Sequence, residues 1–153
     1  SREAVPRYEG RRALLRDILE KDVDERFYVR ETDKWQFLKG AKKMERTKKD
    51  GFKFFYSEGS IPFPDPLDRP SRTMLTSEGT VNRSSHLVSD PVTGRLRILT
   101  PVECERLNGF PDAWTDTGMT ERMRYFTMGN ALVVPLIQSM GSRLLQLVDQ
   151  RPG

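Results

Sequence analysis

The residues able to carry out bond-making chemistry are few. There is one cysteine, Cys104, and one histidine, His86, in 153 residues. A lone thiol cannot close an internal disulfide or form a zinc site of several thiolates, and it suits a reducing cytoplasm. A lone imidazole argues against an internal Ser–His dyad and against a histidine-based metal site. Cys104 stands between Glu103 and Glu105, where neighbouring negative charge disfavours a thiolate, so it reads as a structural side chain. His86 reads as a surface or hydrogen-bond-satisfied histidine rather than a ligand. Glu103 and Arg106 are spaced to pair across one helical turn, as scaffold rather than as acid and base.

Charge says more. The chain carries a formal net charge of +4 with a pI near 9.4. Between Lys34 and Lys53 eight basic residues face two acidic ones, so this window is net +6 and the remainder −2. A local basic patch of this kind is either a solvated face or a contact for a polyanion. Lys42, Lys43, Lys48 and Lys49 are its densest part and the residues that would make such a contact.

The positioning elements follow from spacing. Leu14, Leu15, Ile18 and Leu19 mark one face of a short helix over Arg11–Glu20, and Arg26–Arg30 reads as a strand. Asp33 is placed to cap a helix in which Trp35, Leu38 and Ala41 line one side and lysines the other. Lys48–Gly51 makes a hairpin turn before a strand at Phe52–Ser57. Four prolines in residues 61–70 deny that segment helix and inner strand. Arg72–Thr76 and His86–Ser89 read as short strands around a polar loop, Ser77–Ser85. Thr100, Pro101 and Glu103 then spell a capped helix start that Gly109 ends. Apolar residues from Val133 to Val148 form a wide helical stripe, with Pro135 in the first turn and Gly141 open to another backbone. No contiguous apolar run approaches the roughly 18 residues of a membrane span, and no basic-then-apolar leader points to secretion.

Three segments, in order, carry a resemblance: Arg72–Val88 (RTMLTSEGTVNRSSHLV), Arg97–Trp114 (RILTPVECERLNGFPDAW) and Gly129–Leu144 (GNALVVPLIQSMGSRL). Together they resemble the carboxy-terminal part of the DNA (cytosine-5) methyltransferases, namely the end of the target recognition region and the ninth and tenth conserved motifs. The resemblance runs over about residues 11–148 and is tightest from 95 to 144. Three signatures of that family have no counterpart here: a glycine-rich cofactor loop, a Pro-Cys nucleophile and a Glu-Asn-Val motif. In the family a cysteine thiolate adds to cytosine carbon 6, which activates carbon 5 toward S-adenosylmethionine, on a base flipped out of the duplex.

What the resemblance implies is an α+β chain. A small, mostly antiparallel β target-recognition domain with short helices would occupy residues 26–127. It would lie between a segment trailing from the catalytic domain (1–25) and a helix (128–153) that returns to an absent Rossmann-like catalytic domain. Thr73 is similar to the threonine of a Thr-Leu pair that contacts the backbone at the flipped nucleotide, with Met74 here in place of leucine. Arg72, Ser77, Glu78, Asn82 and Arg83 lie where base and phosphate contacts are expected. Asn130 is similar to the asparagine of a Gly-Asn pair near the cofactor, with Ala131 following where some members carry serine; a helix N-terminus there would suit the methionine carboxylate, or Asn130 would simply cap its helix. The expected partners are duplex DNA and the catalytic part or subunit, with no membrane, in a bacterial cytoplasm and of restriction–modification or related type. By itself the chain is expected to transfer no methyl group. A non-enzymatic DNA-binding or regulatory module derived from such an enzyme is the alternative. Generic RNA binding ranks last, for want of an aromatic platform.

Overall fold

The computed structural model describes residues 10–149. Two 3-10 turns, Leu15–Ile18 and Glu25–Phe27, precede α1 (Thr32–Lys39) and the strands β1 (Lys42–Thr47) and β2 (Lys53–Glu58). A long irregular stretch follows before β3 (Leu87–Ser89) and β4 (Leu96–Ile98). Three helices complete the described chain: α2 (Pro101–Leu107), α3 (Glu121–Asn130) and α4 (Val134–Asp149). The strands form two separate antiparallel pairs, β1 with β2 and β3 with β4. An α+β class with little sheet, short helices and one long apolar helix agrees with the expectation.

The core gathers Leu15, Met74, Val88, Leu99, Cys104, Tyr125 and Met128 under α2 and α3. Its anchor is the start of α2, where local chemistry fixes the helix. Thr100 Oγ1 accepts from the Glu103 N–H at 3.2 Å, and Glu103 Oε2 accepts from the Thr100 N–H at 2.8 Å. Pro101 fills the first helical position, and Gly109, at φ 78°, ends the helix. Glu103 does not pair with Arg106. It takes the buried Arg97 guanidinium on both oxygens, at 2.7 and 2.8 Å, while Arg106 reaches across to Asp112 at 2.6 and 2.8 Å.

Several local expectations are corrected. Lys42 and Lys43 lie on a strand and Lys48 and Lys49 in the turn after it, not on a helix face: α1 ends at Lys39, whose own side chain is buried and donates to the Ser85 carbonyl at 2.7 Å. Asp33 sits inside the first turn of α1, since the helix starts at Thr32. The Arg11–Glu20 helix shrinks to a 3-10 turn, and Arg26–Arg30 contributes one bridge, Tyr28 to Arg97, rather than a strand. Arg72–Thr76 is irregular rather than a strand, held by the Arg72 and Met74 side chains and by the Leu75 carbonyl, which accepts from the Glu78 N–H. Phe110 and Trp114 contact each other after α2, with ring centroids 5.9 Å apart, and Trp114 is exposed. Trp35 is buried and anchors α1 as expected.

Helix α3 is an element the spacing did not announce, because Tyr125 and Met128 are its buried residues. No residue of α4 is buried, and Leu136, Ile137, Met140, Leu144 and Leu145 all lie open. A Cβ placed on Gly141 would meet nothing within 4 Å among the described residues outside its own helix backbone. Counted across the break after Asn130, the stretch Glu121–Asp149 is long and apolar enough, by length and composition alone, to cross a membrane. Counting contiguous apolar residues passes over it because polar residues interrupt the run. Its first part, α3, is packed against α2 and belongs to the body of the fold.

Candidate nucleic-acid interface

The basic window becomes a hairpin. Lys48 donates its backbone N–H to the Phe52 carbonyl at 2.9 Å, and Gly51, at φ 84°, turns the chain. Pairing places Lys43 opposite Ser57, Glu45 opposite Phe55 and Thr47 opposite Lys53. Side chains alternate across a strand, so these six share one face, and Lys42, Met44, Arg46, Phe54, Tyr56 and Glu58 share the other. The second face is half-buried along β2 and tied to the body. Arg83 does the tying: its guanidinium donates to the carbonyls of Leu38 (2.9 Å), Gly40 (3.0 Å) and Gly59, and lies 3.5 Å from Glu58.

The first face and the turn are open to water. Phe55 is 66% exposed and Phe52 59%. Cations sit over these rings: Lys43 Nζ is 5.0 Å from the Phe55 centroid and Lys48 Nζ 5.3 Å from that of Phe52. Lys42 lies 4.5 Å from Phe37, and Arg46 4.0 Å from Tyr56. The ring quadrupoles hold the ammonium groups in place without neutralising them. Within the hairpin the Glu45 carboxylate has Lys53 at 2.9 Å, so the charges of Lys42, Lys43, Arg46, Lys48 and Lys49 dominate the surface. Such a surface attracts phosphates through its cations and can hold apolar base edges on its rings.

The polar loop has a different organisation. Four of its six candidate residues direct their polar atoms inward. Arg72 holds Asp65 with two bonds, at 2.6 and 3.0 Å, and the Ser84 carbonyl at 3.2 Å. Asn82 folds the loop on itself, its Oδ1 accepting from the N–H groups of Ser84 (2.7 Å) and Ser85 (3.1 Å) and its Nδ2 donating to the Ser77 carbonyl. Glu78 is buried, so it offers no surface to a base, and Arg83 fixes the hairpin as described. Thr73 and Ser77 remain exposed.

Glu78 takes part in a chain that the single-histidine argument discounted. One of its oxygens accepts from the His86 backbone N–H at 2.6 Å, the other lies 3.0 Å from Nδ1, and Nε2 lies 2.9 Å from Ser71 Oγ. Serine, histidine and glutamate are therefore aligned. The Ser71 hydroxyl also lies 2.8 Å from the Arg72 carbonyl, so it is engaged on two sides. Held at both contacts, the serine completes a strut from Glu78 through His86 that ends just before Thr73.

Beneath the loop lies a dense polar layer. Arg97 bridges Asp90 (2.8 Å) and Glu103, with all three side chains buried. Burial alone would raise the Asp90 carboxyl, but the Arg97 bond and the N–H groups of Thr93 and Val92 pull it down to about 2. The same contest leaves Asp65 below its ordinary value, through Arg72, the Leu87 N–H and Lys39, while burial drives Lys39 down. Glu105 accepts from Thr115 and from Arg124 (3.0 Å) on one oxygen, while its other oxygen is buried without a partner among the described residues. Cys104 is wholly buried, and burial, reinforced by Glu78, Glu103 and Glu105, pushes its thiol well above the usual range. It is a structural cysteine.

Asn130 is corrected in place. It is the last residue of α3, with its Nδ2 donating to the Phe126 carbonyl at 3.0 Å, and Ala131 is the C-cap. It therefore neither caps α4 nor lies at a helix N-terminus. The start of α4 is also engaged: the Val134 N–H donates to the Asn108 carbonyl at 2.8 Å, the next residue is Pro135, and the N–H groups of Leu136 and Ile137 return to Val133. Beside these residues runs an open cleft of about 430 Å³ between Leu14, Thr73, Met74, Asn108, Met128 and Gly129.

Comparison with known proteins agrees with this geometry. A family model described as C-5 cytosine-specific DNA methylase matches residues 2–146. Over 144 residues the chain is 49% identical to the Type II methyltransferase M.Sau3AI of Staphylococcus aureus, covering 93% of this chain and 34% of that protein. It is 28% identical over 138 residues to the Type II methyltransferase M.DsaV of Dactylococcopsis salina, covering 90% and 36%. The chain thus spans about a third of the length of these curated relatives. Among solved structures it resembles the S. pombe Dnmt2 methyltransferase (TM-score 0.59, 21% identity, 94% of this chain and 43% of that one). It also resembles the Entamoeba histolytica methyltransferase EhMeth (TM-score 0.61, 14% identity, 95% and 44%). Matched over nearly its whole length, the chain belongs to the C-5 cytosine-specific DNA methylase family.

Proposed function

We propose that this chain is the carboxy-terminal, target-recognition portion of an S-adenosylmethionine-dependent DNA cytosine-5 methyltransferase. Its task is to grip duplex DNA while the rest of the protein supplies the reacting thiolate. One observation carries this reading: in a chain of this family, the cation–aromatic hairpin stands open while the sole cysteine is sealed in the core. A buried thiol held protonated cannot add to a pyrimidine ring, so the nucleophile comes from residues this chain does not span.

The DNA-facing residues are Lys42, Lys43, Lys48 and Lys49 on the hairpin and Thr73 and Ser77 on the loop. Arg72, Glu78, Asn82 and Arg83 shape that surface from behind. The hairpin cations provide sequence-independent attraction, and the exposed rings and loop hydroxyls meet base edges and backbone. The exposed apolar length of α4 is a docking face for the rest of the enzyme rather than a bilayer anchor. The compartment that goes with this reading is a bacterial cytoplasm, beside its DNA.

S-adenosylmethionine is the methyl donor this family implies. The residues here do not by themselves fit it: Asn130 is turned onto α3, and the first N–H groups of α4 are engaged. No step of methyl transfer is assigned to Asn130 or Ala131. The test is complementation. Mixed with the part of the S. aureus relative that this chain does not span, the chain should restore transfer of labelled methyl groups to duplex DNA, while neither part alone transfers any. Tight DNA binding with no transfer in the mixture would instead mark a non-enzymatic binding module.

A further inference from the structure

We infer that α3 fixes the position of the segment from Thr73 to Gly79, and that Gly129 and Gly79 are positioning residues for the methyl transfer proposed above, on which this inference rests. A Cβ on Gly129 would stand 2.4 Å from both Cα and N of Thr76 and 2.6 Å from the carbonyl carbon of Leu75. Backbone lies directly on backbone there, and no side chain can swing aside to make room. A Cβ on Gly79 would stand 2.4–2.8 Å from the Tyr125 ring, and φ at Gly79 is +81°. That ring cannot swing freely either, because its hydroxyl donates to the Leu99 carbonyl at 2.7 Å.

Tyr125 and Gly129 are four residues apart, so they share one face of α3. They meet the segment at two points, Leu75–Thr76 and Gly79, and two points set both its distance and its tilt. The exposed Thr73 and Ser77 are carried by the stretch so held. The C-terminal end of α3, beside Gly129, is held a second time: Asn108 Nδ2 donates to the Met128 carbonyl at 2.8 Å, and the Asn108 carbonyl accepts from Val134 N–H at 2.8 Å. The place of Thr73 and Ser77 is thereby locked to the start of α4, the helix through which the rest of the enzyme docks. The hairpin is tied to the body by a different residue, Arg83, beyond Gly79 in the chain.

The two DNA-facing regions therefore separate experimentally. In the complemented assay, Gly129→Ala should lower kcat by about tenfold or more, because small misplacements at a reacting centre are costly. KM for DNA and affinity for random duplex, which the hairpin carries, should stay within about twofold. Met123→Ala, on the exposed side of the same helix, is the control and should change neither. Unchanged kcat in a folded Gly129→Ala protein overturns the inference, as does a rise in KM at unchanged kcat. Should Gly129→Ala fail to fold, hydrogen exchange on the unmodified chain decides. The Glu78 and Thr80 amides, bonded to Leu75 and Ser77, should exchange as slowly as those of α3. Exchange about 100-fold faster overturns the inference. Absence of transfer by the unmodified mixture would sink the functional reading instead, and the exchange comparison would still judge α3.

Discussion

The hairpin and the layer under the loop are built from the same residue types and use them in opposite ways. Around Arg97, Asp90, Glu103, Asp65 and Lys39 every charge is buried and answered by hydrogen bonds from residues fixed in place. On β1 and the turn, the cations rest on aromatic rings and face water. A buried charge network constrains geometry, since removing any partner leaves an ion stranded in low dielectric. An exposed one stabilises the fold little and is available to a partner. The division suggests how the work is shared: the inner layer holds the shape and the outer hairpin meets the polyanion.

The largest expected effect belongs to the inner layer. Arg97→Met should strand Asp90 and Glu103 and cost about 3–5 kcal/mol, read as a lowered midpoint in urea unfolding. A loss no larger than that of a surface substitution would erase the contrast between the regions.

Acid provides a milder break. Asp90, at about 2 in the folded chain against an ordinary 3.8, contributes stability that is complete above the ordinary value and disappears as pH falls from about 4 toward 2. Asp65 and Glu105 are lowered as well and act in the same direction. Urea midpoints should therefore fall steeply over that range, and Asp90→Asn should flatten the fall. A flat profile in the unmodified chain would mean the inner carboxylates are not held as described.

Cys104 sharpens the comparison at one atom. In the folded chain it should resist thiol reagents at neutral pH and react only as fast as the protein opens, so that rates in urea track unfolding. Prompt labelling of the native chain would mean that the inner layer is accessible. The smallest stability change is expected on the hairpin: Lys43→Ala or Lys49→Ala should move the unfolding midpoint by no more than about 0.5 kcal/mol.

What could be read from the sequence divides along similar lines. Thr100, Pro101, Glu103 and Gly109 declared α2 because capping chemistry is local, completed within a few residues. The Asp-Gly turn and β2 were legible for the same reason. By contrast β1, Lys42–Thr47, has no apolar alternation and becomes a strand only through its register with β2. Helix α3 escaped because its buried side consists of Tyr125 and Met128. The burial of Lys39 and the inward use of Arg72, Glu78, Asn82 and Arg83 depend on partners distant along the chain, such as Ser85 for Lys39 and Leu38 for Arg83. A polar residue in a loop looks the same whether it faces a ligand or braces the loop. The resemblance identified the family, while the roles of individual loop residues needed coordinates. Nor did it disclose the Ser71–His86–Glu78 strut, whose members are scattered over 15 residues.

The most direct test of the division is the salt dependence of DNA binding. Affinity of the chain for one duplex, measured from low to moderate salt, should fall linearly on a double-logarithmic plot. Replacing Lys42, Lys43, Lys48 and Lys49 together by alanine should weaken binding to all sequences alike. It should also shallow the slope by about 0.9 for each phosphate no longer neutralised, with the unfolding midpoint nearly unchanged. Parallel plots of equal affinity for the two proteins would contradict the account and leave the hairpin an ordinary solvated surface.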